Sequence, residues 1–336
     1  MSGGADMADT RIGIAIVAGA LGSGKSTFID ALIGTARDDS ILVLLTELGN
    51  HVLRHQRVVT ASLGAPGFGP GCQCCSFENE LLGVLDLVAE EAHRGEIKPF
   101  RTLVVELADG VDPAVCYALP LAFPAIRERY RVDSMTLLVQ TGVNIDTAAM
   151  NAGQLAQFSM ADRAILANQP DKKAAGKTAK WLRSLAAISP NAQILSWRKA
   201  VAAGKPFWSL VGQRQAASAS SESLDAANAE LPQRLVIEDA EPVARRDLEL
   251  WLEWVRYRYG AIIPLMMGMA LTREDSGPVF VNMVRHTLAP REAFPAWGEM
   301  PRQTKIDITV LGGRGQDILA LWQQAKAGTL PGKLVG

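Results

Sequence analysis

The residues best equipped for chemistry lie in GALGSGKST, Gly19 to Thr27. The stretch matches the pattern G-x-x-x-x-G-K-[ST] at Gly19, Gly24, Lys25 and Ser26. Such a loop wraps backbone N–H groups around phosphate oxygens, because glycine lets the chain turn tightly and approach an anion. A helix starting at its end adds partial positive charge. The pattern makes Gly19, Gly22, Ser23, Gly24, Lys25, Ser26 and Thr27 the expected phosphate-binding residues. Lys25 is expected to reach the β- and γ-phosphates and Ser26 to ligate Mg²⁺.

A loop of this kind needs an acidic partner at a neighbouring strand end. The stretch LVVELADGVDP, Leu103 to Pro113, offers Glu106, Asp109 and Asp112. Glu106 falls at the strand end and is expected to hold a metal-bound water. Asp109 is the second candidate for the magnesium role, and a carboxylate here would place a hydrolytic water. Lys25, Glu106 and Asp109 therefore form the expected catalytic set. Asp112 precedes Pro113 and is equally well suited to cap a helix.

Two further clusters follow. In RAILANQPD, Asn168 and Asp171 have the spacing of a guanine-reading N-K-x-D loop, with Gln169 in place of lysine. An Asn-x-Pro-Asp turn is the competing reading. In GPGCQCCSFEN, Cys72, Cys74 and Cys75 fall within four residues, and the remaining cysteine of the chain is Cys116. Thiolates are soft ligands suited to Zn²⁺. A fourth ligand must complete a tetrahedral site, and Glu47, His51 and His55 are the candidates, Glu47 foremost. Cys116 reads as a core residue, and His51, His55 and His93 as surface residues. Met266, Met267, Met269 and Met283 read as core filler or an adaptable surface rather than Cu(I) ligands.

These groups must be held by regular elements. Short β-branched runs read as buried strands at Ile12–Gly19, Ile41–Glu47, Thr102–Leu107, Met135–Gln140, Arg163–Asn168 and Ala192–Leu195. KSTFIDALIGTA and FENELLGVLDLVAEEAHR read as helices, and Gly64 to Gly71 as a Gly/Pro-rich loop. Alternating strands and helices imply an α/β fold, a parallel sheet with helices on both faces. The Ala/Ser-rich stretch from Gly212 to Glu230 reads as a linker. Beyond it QRLVIED, the helix RRDLELWLEWVRYRYG, three strand candidates and the helix GQDILALWQQAKAG read as a smaller α+β domain. The expected division is a phosphate-loop domain over 1–211, a linker over 212–231 and a second domain over 232–336.

The chain has 336 residues, is 48% hydrophobic and carries a formal net charge of −1. That balance gives no electrostatic reason to expect nucleic acid or an anionic membrane surface as partner. Four cysteines in such a length do not make a disulfide framework, which points to a reducing compartment. No apolar run has the length of a membrane span, and the start of the chain lacks a signal-peptide pattern, so the expectation is a cytoplasmic protein.

Taken together, GALGSGKST, GCQCCSF, ELADGVDP, ADRAILANQPD and the C-terminal segment VNMVRHTL…PAW resemble the CobW family of GTP-dependent metallochaperones. These are relatives of the hydrogenase and urease maturation GTPases. The resemblance covers nearly the whole chain and implies GTP and Mg²⁺ as ligands. It also implies a transferred metal, Zn²⁺ foremost and Co or Fe otherwise, bound by Cys72, Cys74 and Cys75. It matches Glu47 to an acidic switch residue and Gln157, Ala161 and Asp162 to the segment before the base-reading strand. Arg285, His286 and Trp297 match the second domain. The implied partner is a client metalloprotein, with a homodimer as a further possibility. Four positions depart from the family pattern: Thr46, Asp109, Gln169, and Met267 before Gly268. The implied function is a slow GTPase that delivers metal to a client. A non-hydrolysing activator or scaffold of one metalloenzyme, and a small-molecule kinase, are the alternatives.

Overall fold

The computed structural model describes residues 10–36, 41–45, 58–60, 73–141, 145–167, 175–203, 231–290 and 292–331. The first unit runs β1 (Ile12–Gly19), α1 (Lys25–Ala36), β2 (Ile41–Leu45), β3 (Val58–Thr60), α2 (Gln73–His93) and β4 (Thr102–Glu106). It continues through α3 (Ala114–Ala122), α4 (Pro124–Arg129), β5 (Tyr130–Val139), α5 (Ala152–Met160) and β6 (Arg163–Leu166). It closes with α6 (Ala175–Ile188), β7 (Gln193–Ser196) and α7 (Trp197–Ala203). Its strands form one seven-stranded sheet in the order β3-β2-β4-β1-β5-β6-β7. Every pairing in it is parallel.

Successive residues of β1 face opposite sides of the sheet. Ile14, Ile16 and Ala18 enter a core shared with α2, α3 and α5. Ala15 and Val17 enter the other, with Phe28, Ile29 and Leu32 of α1. Full burial of one such side chain stabilises by about 1.5–3 kcal/mol, whereas an exposed ion pair contributes roughly 0–1. The exposed Arg94–Glu90 pair is of the second kind. Apolar contact therefore sets the position of β1.

The second unit contains β8 (Gln233–Asp239), α8 (Arg245–Tyr259), β9 (Leu265–Ala270), β10 (Val279–Val284), β11 (Thr287–Leu288), β12 (Thr304–Val310) and α9 (Gly315–Lys326). Its sheet, ordered β11-β10-β9-β12-β8, is antiparallel. The helices α8 and α9 supply Trp251 and Trp322 to its core, which meet edge to face with centroids 5.1 Å apart. Leu265 and Val284 instead belong to the core of the first unit, with Cys116 and Leu119 of α3. Asn191 also donates to Thr309 Oγ1 at 3.0 Å. The two units thus share packed apolar surface.

The structure corrects the sequence reading at several elements. Cys74 and Cys75 stand in the first turn of α2, which begins at Gln73 rather than at the expected Phe77. The apolar period that marks this helix begins only at Leu81, so its polar start carries no periodic signal. β5 begins at Tyr130, five residues before the expected Met135. β3 is a three-residue edge strand with no sequence prediction. The segment PVFVNMVRHTL is a hairpin of β10 and β11, not one strand. Its turn holds Arg285 at φ 52°, the one positive φ outside glycine among the described residues. That conformation costs a residue with a Cβ about 1–2 kcal/mol. The linker assigned to 212–231 lies almost wholly outside the described residues, as do Glu47, Cys72, Asn168, Gln169 and Asp171. No helix among the described residues is long and apolar enough to cross a membrane.

Cys116 is buried in α3 as expected. Desolvation first, then the Asp112 carboxylate, push its thiol from 9.0 up to about 12. The folded chain therefore holds this proton more tightly than the unfolded chain does. Its contribution to stability is full below pH 9.0 and is lost as pH rises to about 12. In a variant lacking the other cysteines, a thiol reagent at pH 8 is expected to leave Cys116 unmodified until urea unfolds the chain. Equal reaction rates in the folded and unfolded protein would contradict this burial.

Candidate functional site

The site begins where β1 ends. Gly19, Gly22 and Gly24 have φ of 143°, 75° and 91°, values that side chains with a Cβ rarely adopt. A Cβ at Gly19 would also lie 2.5 Å from the carbonyl oxygen of Leu138 and 2.9 Å from Ser23 Oγ. Ser23 N donates to Ala20 O at 3.0 Å, closing the turn, and α1 begins at Lys25. Lys25 is buried, and its Nζ donates to the carbonyls of Gly19 at 2.9 Å and Ala20 at 3.3 Å. The ammonium thus bends back over the loop. Gln140, at the end of β5, braces the outside by donating to Gly22 O at 2.8 Å.

The register of β1 with β4 pairs Val17 with Glu106. That places the Glu106 carboxylate beside the first turn of α1, where Ser26 Oγ donates to Glu106 Oε1 at 3.0 Å. The expected magnesium pair is therefore assembled, two hard oxygens at the helix N-terminus. Ser23 Oγ is buried and makes no hydrogen bond among the described residues. A phosphate oxygen would satisfy it. The glycine cradle, the orphaned hydroxyl and the Ser26–Glu106 oxygens suit a magnesium-bound polyphosphate.

The loop after β4 is fastened from three sides. Asp109 Oδ2 accepts from Leu21 N in the phosphate loop at 3.4 Å, and Oδ1 accepts from Gln154 Nε2 at 3.0 Å. Gln157, 2% exposed, donates to the carbonyls of Ala108 and Val111 at 3.0 and 2.9 Å. Gly153 approaches so closely that a Cβ there would sit 1.8 Å from Gly110 O. Asp112 Oδ1 accepts from Ala114 N at 3.0 Å, just ahead of α3, whose N-cap is Pro113. Both Asp109 oxygens are engaged by N–H donors, the geometry of an anchor rather than of a base. A cavity of about 260 Å³ opens beside the loop, lined by Ser23, Asp109, Leu137, Val139, Met150 and Phe158.

Sequence reasoning missed Gln140, Gly153 and Gln154. The last was readable: Asn151 and Gln154 form a capping box at the start of α5, and the Gln154 side chain serves Asp109 as well. Asp162 lies at the other end of the sheet, where its carboxylate accepts from Met135 N at 2.7 Å. Thr27 is exposed on the first turn of α1. The side chains of Cys74 and Cys75 fall outside the described set, as do Glu47, Cys72, Asn168 and Asp171. No cluster of three metal-ligating side chains occurs among the described residues.

The family model for the nucleotide-binding domain of CobW/HypB/UreG matches residues 13–196, from β1 through β7. This chain belongs to the CobW/HypB/UreG family. Zinc chaperone YjiA of Escherichia coli is 29% identical over 185 residues, covering 54% of this chain and 56% of that protein. Zinc-regulated GTPase metalloprotein activator 1 of Saccharomyces cerevisiae is 35% identical over 75 residues, covering 20% of this chain and 17% of that protein. The match thus spans little more than half the length of the first relative and less of the second. A crystal structure of zinc-bound YjiA GTPase from E. coli superposes with a TM-score of 0.67 at 16% identity. It covers 94% of this chain and 99% of the other, so the likeness of fold extends over both sheets.

The substitution Gly153→Ala drives a methyl into the Gly110 carbonyl, so α5 and the loop must part. Destabilisation of about 1–3 kcal/mol is expected by urea titration. Wild-type stability in this variant would contradict the clamped loop.

Proposed function

We propose that this protein is a GTP-hydrolysing metallochaperone that carries a transition metal, zinc foremost, to a client metalloprotein. The observation that carries the reading is the Ser26–Glu106 contact beside a glycine loop whose buried Ser23 hydroxyl has no partner among the described residues. The names of two relatives, a zinc chaperone and a zinc-regulated GTPase metalloprotein activator, support the choice of nucleotide and metal.

In this reading the loop N–H groups and the N-terminus of α1 hold the phosphates. Lys25 exchanges its two carbonyl partners for phosphate oxygens, which it prefers as a charged acceptor. Ser26 and Glu106 would hold Mg²⁺, which when bound offsets negative charge on the transferring phosphoryl group. Asn168 and Asp171 read guanine. Asp109 sets the distance between the loop after β4 and the phosphate loop. Cys72, Cys74 and Cys75 bind the cargo, with Glu47 as the fourth ligand. The helix α2 gives two of these thiols a rigid footing, since it is anchored in the core by Leu81, Leu85 and Val88.

Two measurements test this. Lys25→Ala is expected to lower GTP turnover at least about a hundredfold, the scale of losing one transition-state contact. Unchanged turnover would remove the hydrolytic role. Zn²⁺ affinity measured with and without a non-hydrolysable GTP analogue is expected to differ. The difference should vanish when Cys72, Cys74 and Cys75 are all changed to Ala. Equal affinities in the wild type would remove nucleotide control of the cargo and leave a plain NTPase.

A further inference from the structure

We propose that Arg285, in the second unit, is a positioning residue for the phosphate loop of the first. In this role it couples nucleotide entry to the second sheet. The inference rests on the reading that Gly19–Thr27 binds a nucleoside triphosphate.

The geometry begins with a residue in an unfavourable place. Val284 pairs with Thr287, so Arg285 and His286 form a two-residue hairpin turn. A positive φ at the first central residue alone is the pattern of a type II′ turn, whose ordinary occupant is glycine. Strain of this kind persists where the surroundings over-determine it. Here the surroundings are explicit. Arg285 Nη1 donates to Ala261 O, and its backbone N–H donates to Ile263 O at 3.1 Å. Nε and Nη2 both donate to Asp112 Oδ2, at 3.1 and 2.7 Å. The Arg285 and Asp112 side chains are only 20% and 26% exposed, so solvent screens this pair less than a surface bridge.

Asp112 lies three residues beyond Asp109 on the same loop, with Gly110 between them at φ 76°. One end of the loop touches the phosphate loop through Leu21 N–H, and the other is gripped by the second sheet. Beyond it α3 packs against Leu265 and Val284 in one apolar cluster, so α3 and the hairpin move together. A continuous line runs from Leu21 through Asp109 and Asp112 to Arg285.

The Asp109 carboxylate occupies one of the N–H groups that a phosphate loop offers to its ligand. An incoming triphosphate repels that carboxylate and competes for the same donors. Asp109 must yield, and Arg285 resists the movement by holding Asp112. Binding energy spent on that displacement is thereby transferred to the hairpin. By linkage, whatever engages the second unit and loosens Arg285 must tighten nucleotide binding by the same factor.

The test uses the full chain and a double-mutant cycle on affinity for a fluorescent, non-hydrolysable GTP analogue with Mg²⁺. Arg285→Gly removes the ion pair and also relieves the backbone strain, so the variant is suited to keep its fold, which a urea titration checks. Arg285→Gly and Asp109→Asn are each expected to tighten binding about fivefold or more, the usual lower range of coupling. The double variant should gain no more than either single one. KM for GTP should fall in Arg285→Gly without a rise in kcat, and Arg285→Lys should restore part of the wild-type value. Hydrogen exchange in residues 279–288 should respond to nucleotide in the wild type and not in Arg285→Gly. Additive effects in the cycle, or exchange that ignores nucleotide in the wild type, would overturn the coupling while leaving the nucleotide site intact. A wild-type protein that binds no GTP analogue would overturn both the coupling and the proposed function.

Discussion

Everything at this site depends on one alignment, the parallel register that sets Val17 of β1 level with Glu106 of β4. Parallel strands all end on the same edge, so a register fixed by buried side chains also fixes which polar groups meet beyond that edge. Ile16 and Val105 are wholly buried partners one residue earlier. A slip of one residue would turn those side chains to the wrong face. The Glu106 carboxylate reaches Ser26 because the core forbids that slip.

The second constraint is the supply of backbone N–H groups. A helix N-terminus leaves its first donors without carbonyl partners, and a glycine turn before it adds more. This chain answers that need with groups that compete with a ligand instead of replacing it for good. Asp109 takes the Leu21 donor at the long distance of 3.4 Å. Lys25 turns to neutral carbonyls. Such contacts are weaker than those a triphosphate offers, so the loop is held in shape and remains open to exchange.

The sequence made the phosphate loop and the strand-end carboxylates legible because their chemistry is local. Gly19, Lys25, Ser26 and Glu106 need only the right neighbours along the chain and one strand pairing. The start of α2 was not legible, since Gln73 to Glu80 offers no apolar period. The polar beginning of β5 hid itself in the same way. Gly153 and Gln154 were invisible as site residues because their partners lie more than forty positions away, at Gly110 and Asp109. Arg285 stood out by its resemblance to the family pattern, but its ion pair spans 173 positions and only the fold brings it to Asp112.

The shared cluster of α3 with Leu265 and Val284 bears on how the protein folds. Leu119 is fully buried and Cys116 is 1% exposed, and both share that cluster with the second sheet. A polypeptide ending before β8 would present this helix to water as a bare apolar strip. The phosphate-loop half is therefore a poor candidate for independent existence. During synthesis it must wait, with a sticky surface, until the later strands arrive to cover it.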